Sequence, residues 1–322
     1  MIALRGLACE VAELASRPDQ IEKSILWQRH NDLRTPQPLI FCDPENGWHE
    51  IIPSGRLQTR GELARAWEFG LLRRLDHARF LKDDMVIDDA FWVPLVSGDT
   101  GWGVEIRHTS VQAGGAYRVQ PAIEDYERDF DKLRFPQPTV DWPASDWLLG
   151  EAHRVFDGIL RVERYAQWWW SLGLTCHYID LRGMENFLCD LTLEPEWVHR
   201  MMSFLCEGAL KRLDDLEKDG LLFQNTGNHY VGSGGFGFTG QLAPAPAGSV
   251  TPMDMWGFVE SQETSVISPE MYGEFVFPYH LRLAERFGLN CFGCCEPYEG
   301  RWAYAKRLPR LRRVSCSPWS DR

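Results

Sequence analysis

The chain has 322 residues, with 34 Lys and Arg against 46 Asp and Glu, a formal net charge of −12. That acidity argues against a phosphate-backbone partner, so nucleic-acid binding is not expected, and 44% hydrophobic with 25% charged residues excludes wholesale disorder. No apolar run approaches the roughly 18 residues of a membrane span, and the start Met1-Ile-Ala-Leu-Arg5-Gly-Leu-Ala-Cys9-Glu10 reads as an amphipathic helix rather than a signal peptide, so a cytoplasmic protein with no membrane partner is expected.

In chain order, a long helical segment is predicted over 2–33, then a buried strand at 38–41. Leu63, Trp67, Leu71 and Leu75 recur at helical spacing, which predicts a helix over 59–80. Segments 85–87 and 91–95 are strand-like. A helix is predicted over 144–159, with Ser145 or Asp146 as its cap. The aromatic run at 167–170 suits a strand. The clearest helix covers 194–218, where Val198, Met201, Met202, Leu205, Ala209, Leu213 and Leu216 fall three and four apart. Gly220 ends it and 221–223 follows as a strand.

Ser268-Pro269-Glu270 is an N-cap, a first-turn proline and an acid at the positive end of the helix dipole. That helix should run to Phe287, kinked by Pro278 and closed by Gly288. A strand at 289–292, a helix at 300–307 and a strand at 313–317 complete the pattern. Strand–helix alternation implies parallel βαβ units. At this length the expectation is a (β/α)8 barrel as one domain over 1–322, with 1–36 as a helical extension packed on it. Gly232-Ser-Gly-Gly-Phe-Gly237 is the nearest approach to a dinucleotide fingerprint, but no strand hands it to a helix, so it reads as a flexible loop.

Active sites of such barrels lie at the C-terminal ends of the strands. Gln224-Asn225-Thr226-Gly227-Asn228-His229-Tyr230 follows one strand and is dense in donors and acceptors. Asn225, Asn228 and Tyr230 are therefore candidate substrate-binding residues, and His229 a candidate acid/base or ligand. Trp256-Gly-Phe-Val-Glu260-Ser-Gln262-Glu263 would place carboxylates and an amide at the cavity mouth, with Trp256 as a wall and Gln262 and Glu263 as catalytic candidates.

Gly293-Cys294-Cys295-Glu296 puts two thiols and a carboxylate at a strand end, and zinc takes thiolate, imidazole and carboxylate ligands. Adjacent cysteines point opposite ways on an extended chain, so one of the two is expected to face the cavity. Cys316, at the next strand end, is a further ligand candidate. Nine scattered cysteines do not form a disulfide framework. Cys9, Cys42, Cys176, Cys189 and Cys206 read as small buried hydrophobes. Trp168, Trp169, Trp170, Trp256 and Trp319 suit core packing or an aromatic cavity for a planar substrate.

Trp256-Gly-Phe-Val-Glu-Ser-Gln-Glu263, Ile267-Ser-Pro-Glu-Met-Tyr-Gly-Glu-Phe-Val-Phe-Pro-Tyr279, Phe292-Gly-Cys-Cys-Glu-Pro297 and Val314-Ser-Cys-Ser-Pro-Trp-Ser-Asp321 together resemble the uroporphyrinogen decarboxylase superfamily. Trp27, Asn31 and 38–41 fit it more loosely. The resemblance implies a barrel of the triosephosphate isomerase type. The Gly-Cys-Cys-Glu stretch is most similar to the branch of corrinoid-protein methyltransferases. That branch implies a zinc-assisted transfer of a methyl group between a small methylated substrate and a corrinoid carried by a partner protein.

In the branch a His-x-Cys pair and a later Cys hold the zinc. Here Cys295 takes the place of the Cys and Gly293 that of the His, which leaves Glu296 and His229 as co-ligand candidates. The alternative is a decarboxylase of the tetrapyrrole-pathway kind. Its early arginine-rich motif is replaced here by Phe41-Cys-Asp-Pro-Glu-Asn-Gly-Trp48, so a cationic cavity would have to come from Arg107, Arg161, Arg164 and Arg182. A non-catalytic ligand-binding barrel with structural cysteines is the second alternative. The family continues for several tens of residues past the point where this sequence stops at Asp321-Arg322. A fragment, or a barrel lacking its last strand and helix, is therefore expected.

Overall fold

Pro18 cuts the predicted N-terminal helix in two, α1 (Ile2–Ala15) and α2 (Pro18–Asn31). A proline ring fits the first turn of a helix and not its interior. A computed structural model describes the chain over residues 1–110 and 117–321. Residues 38–41 are extended but join no sheet, and Ile40 is exposed rather than buried. Two aspartates take the place of a neighbouring strand: Asp84 Oδ2 accepts from the Ile40 N–H at 2.7 Å and Asp83 Oδ2 from the Cys42 N–H at 2.8 Å. Residues 85–87 also lie outside any sheet.

The single turn α3 (Trp48–Ile51) precedes α4 (Glu62–Asp76), which buries Leu71, Leu72 and Leu75 and widens into a π turn over His77–Leu81. Strand β1 (Ala90–Pro94) then leads into a region with no sequence-predicted elements. It holds β2 (Ser97–Asp99), β3 (Arg107–Ser110), β4 (Tyr117–Gln120), the turn α5 (Tyr126–Asp129) and β5 (Pro138–Val140). β2 pairs with β5 and β3 with β4, both antiparallel.

Helix α6 (Trp142–Phe156) begins earlier than predicted because Asp141 is its cap, accepting from the Ala144 N–H at 3.0 Å. Ser145 lies inside the helix and donates to the Asp141 carbonyl at 2.6 Å. β6 (Arg161–Tyr165) runs parallel to β1, Ala90 facing Arg161. The tryptophan run therefore sits past a strand end rather than in a strand. Helices α7 (Leu174–Arg182), α8 (Met184–Leu193) and α9 (Pro195–Lys218) follow, the last with its predicted face buried at Val198, Met201, Met202, Leu205, Leu213 and Leu216.

Residues 221–226 are extended without a backbone ladder. The Asn225 side-chain amide joins them to the next strand instead, donating to the Trp256 carbonyl at 2.9 Å and accepting from its N–H at 2.8 Å. The glycine-rich stretch is the turn of a hairpin, β7 (Gly227–Tyr230) against β8 (Phe236–Gly237), rather than a flexible loop. β9 (Trp256–Val259), α10 (Pro269–Phe275), α11 (Phe277–Ala284), β10 (Leu289–Phe292), the turn α12 (Trp302–Ala305) and β11 (Leu311–Val314) close the described chain. Ser268 caps α10 as predicted, accepting from the Met271 N–H. The kink expected at Pro278 is a break at Val276.

β9, β10 and β11 form one parallel sheet with β10 in the middle. All four residues of β9 and of β10 are buried, as strands covered on both faces require. The fold is thus mixed α/β with small sheets, and among the described residues no sheet closes on itself. The largest apolar core lies between β9, β10 and helices α7 to α11, around Tyr178, Met201, Leu205, Tyr272 and Phe292. A second core joins α1, α4 and α6 to β1 through Leu4, Val11, Leu75, Val93 and Phe156. No helix among the described residues is long and apolar enough to cross a membrane.

Candidate active site

Buried parallel strands end abruptly in polar residues at 260–263 and 293–296. At the end of β9, Glu260 is 1% exposed. Its Oε1 accepts from Ser171 Oγ at 2.7 Å and its Oε2 from the Gln262 N–H at 3.1 Å. Burial, then the neighbouring Glu263, push the Glu260 carboxyl up to about 7, and Glu296 adds to the effect. Gly173, at the start of α7, has no side chain for a reason. A Cβ there would collide with Glu260 Oε1 and lie 2.8 Å from the Glu260 carbonyl oxygen.

Glu263 is half-buried and accepts from Thr175 Oγ1 at 2.7 Å. It lines a cavity of about 650 Å3 together with Cys176, Asp180, Asn186 and Arg118. Cys176 donates to the Gly173 carbonyl at 3.2 Å, and burial, then Glu263 and Glu260, push its thiol up to about 12. α7 thus brings a hydroxyl and a thiol to the two carboxylates of the β9 end. The result is a carboxyl poised to hold or release a proton near neutral pH, behind a second carboxylate that meets the cavity.

At the end of β10, Glu296 is fully buried. Its Oε1 accepts from the Ser261 N–H at 2.9 Å and its Oε2 from the Cys294 N–H at 2.8 Å. Arg301 lies 3.8 Å from it, buried over the Tyr272 ring, and donates to the carbonyl and hydroxyl oxygens of both Ser261 and Thr264. Glu296 and Arg301 therefore fix the backbone of the 260–264 turn and so the aim of Gln262 and Glu263. Gly293 takes a φ of +81°, which turns the chain out of the strand. The expected divergence of the two thiols is overturned by that turn: Cys294 Sγ and Cys295 Sγ lie 3.6 Å apart.

The other predicted residues lie elsewhere. The His229 ring stacks on Tyr165 at 4.1 Å and leans on Trp92 at 4.5 Å, and burial pushes it down to about 4. It lines a separate cavity of about 810 Å3 with Asn228, Thr226 and Gln224. Asn228 donates to the Val86 carbonyl at 3.0 Å. Asn225 is committed to the Trp256 backbone. Trp256 is buried in the core, 1% exposed, with its ring N–H bonded to the Gly237 carbonyl and Arg313 over its face, and of the cavities it lines the small one beside the tryptophan run. Tyr230 is exposed and packs edge-on against Phe236. The tryptophan run, Tyr230 and Gly232 enclose only about 30 Å3, room for a water molecule or two.

The zinc set implied by the resemblance does not fit this placement. Both Glu296 oxygens serve backbone N–H groups, and the His229 ring is packed between aromatics. Among the described residues no group of three His, Cys, Asp or Glu side chains is placed to hold a metal. Nor do the arginines required by a decarboxylase converge. Arg107 pairs with Glu105, Arg161 with Glu163 and Asp89, Arg164 with Asp146 and Arg182 with Asp190.

Sequence reasoning passed over Ser171, Thr175 and Arg301 and gave Glu260 no role of its own. Glu260 lay inside a stretch already singled out. The others carry no local signal, since their importance comes from which strand end the fold brings them to. Compared with family models, with curated proteins and with solved structures, the chain finds no match.

Proposed function

We propose that the protein is an enzyme of the uroporphyrinogen decarboxylase superfamily, built as a (β/α)8-type barrel, that moves a methyl group between a small methylated substrate and a corrinoid protein. The observation that carries this reading is the pair of a buried Glu260 at the end of a buried parallel strand and Glu263, which lines a cavity of about 650 Å3. Removing CH3+ from an ether leaves an alkoxide or phenoxide, and removing it from a neutral amine leaves an amide anion; each takes up one proton, whereas a methylammonium leaves as neutral amine and needs none. Glu260, protonated up to about pH 7, can supply that proton, and Glu263 stands between it and the cavity. The corrinoid of the partner would supply the methyl-accepting centre. A carboxylate-lined cavity repels a polycarboxylate tetrapyrrole, which disfavours the decarboxylase alternative.

The test is release of demethylated product from methoxyaromatics and methylamines, with reduced corrinoid protein supplied. The rate should fall as Glu260 deprotonates above about pH 7. Glu263→Gln and Glu260→Gln should each lower it by roughly 100-fold or more. No product from any of these substrates, or unchanged rates in both variants, would sink the reading.

A further inference from the structure

All nine cysteines are free, and two of them are placed as a unit. Cys294 and Cys295 are adjacent in sequence, where an extended chain would point their side chains apart. Three features fold them together. Gly293 takes the left-handed turn. The buried Glu296 carboxylate holds the Cys294 N–H at 2.8 Å. Ser315 Oγ donates to the Cys294 carbonyl at 2.9 Å. The sulfurs end 3.6 Å apart on a pinned loop. Cys295 is exposed, and Cys294 is half-buried beside Ser233, whose hydroxyl donates to its sulfur at 3.7 Å.

Two sulfurs bonded to one tetrahedral centre at about 2.3 Å stand roughly 3.8 Å apart. The pair is therefore preset to bite a single thiophilic atom. Zinc would need two more protein ligands to make a closed site, and no third His, Cys, Asp or Glu is placed to join them among the described residues. A centre that needs only two sulfurs fits better. We propose that Cys294 and Cys295 form a dithiol site for a monosubstituted trivalent arsenical, R–As(OH)2.

The reaction is a condensation: R–As(OH)2 + 2 R′SH → R–As(SR′)2 + 2 H2O. Two As–O and two S–H bonds break, two As–S and two O–H bonds form, and arsenic stays trivalent. Condensation starts from neutral thiols and gives a neutral product, which suits a half-buried position. The inference does not rest on methyl transfer, and its readout is binding rather than turnover.

The test titrates the reduced full chain with phenylarsine oxide under anaerobic conditions, followed by intact mass and by the number of thiols left to alkylate. One arsenic per chain should bind and two thiols disappear. The adduct should survive excess glutathione and be removed by dithiothreitol. Cys294→Ser and Cys295→Ser should each weaken binding at least about 100-fold, because the second sulfur no longer acts at high effective concentration. Cys9→Ser and Cys316→Ser should bind as the wild type does. Cys295 is exposed, so its variant should keep the far-UV circular dichroism of the wild type, which separates lost binding from lost fold. Wild-type binding by either the Cys294→Ser or the Cys295→Ser variant, or an adduct that glutathione strips as readily as dithiothreitol, overturns the proposal.

Discussion

Glu296 shows how much one buried side chain can organise. It satisfies two backbone N–H groups from two different strand ends and faces a guanidinium that itself bonds the 261–264 turn. Removing one member of such a buried set leaves the rest unpaired. Glu296→Ala should cost about 3 kcal/mol in urea-monitored unfolding, with Glu263→Ala, at the half-buried cavity edge, costing clearly less. Equal costs would show that the clamp contributes nothing. The stretch was legible in the sequence, while the hydrogen bonds that occupy Glu296 were not. Gly293-Cys-Cys-Glu296 stood out by composition, but the direction of its side chains depends on one glycine dihedral and on Arg301, neither visible in local spacing. His229 stood out for the same compositional reason, and its stacking on Tyr165 and Trp92 could not be read from its neighbours.

Elements were legible where periodicity was long and strong. α9 and the Ser268 cap appear where expected because apolar spacing and capping chemistry are local properties. Strands were legible less often. Residues 38–41 and 85–87 have strand composition, yet aspartate side chains and loops supply what a sheet would have supplied. The β3–β4 hairpin had a signal in Gly114-Gly115 and in the alternation of Tyr117-Arg-Val-Gln120, whereas the β2–β5 pair joins short segments about 40 residues apart and has none in local spacing. The α6 start differs from the predicted one by two residues and its cap by four or five, since Asp141, Ser145 and Asp146 all qualify as caps by type. The structure selects Asp141, and Asp141→Ala should therefore lower stability by about 1 kcal/mol. Asp146→Ala, tested by the same thermal melt, should show less. Its only described contact is an ion pair with Arg164 at an exposed carboxylate.

Across the whole molecule, several groups tie stability to pH, among them buried Glu260 and His280, half-buried His229, and His177, which burial also lowers. Glu260 is raised from 4.5 to about 7, by burial and then by Glu263. Its contribution is complete below about pH 4.5 and is lost as pH rises through 7. His229 and His280 are lowered from 6.5, to about 4 and about 3, by burial, with Arg301 adding to the effect on His280. Their contributions are complete above pH 6.5 and are lost as pH falls. The opposing slopes place the stability maximum near pH 6.5. Glu260→Gln should abolish a loss of roughly 3 kcal/mol between pH 5 and pH 8, at about 1.4 kcal/mol per unit. Parallel urea midpoints for wild type and variant across that range would contradict the assignment.

The side-chain bridge from Asn225 to Trp256 has a consequence for motion. A sheet seam made of several backbone rungs parts only when a strand peels away. Here residues 221–226 are held beside β9 by side-chain amides, Asn225 on the Trp256 backbone and Gln224 on the Asp254 carbonyl at 3.0 Å, each swinging on its own torsions. The seam can open by a rotamer change, on the timescale of side-chain motion rather than of unfolding. The Trp256 amide proton would then trade with solvent deuterium far sooner than its neighbours in β9, which are held by the β10 ladder. The β9 edge of the parallel sheet is thus closed by side chains, where among the described residues no fourth strand stands.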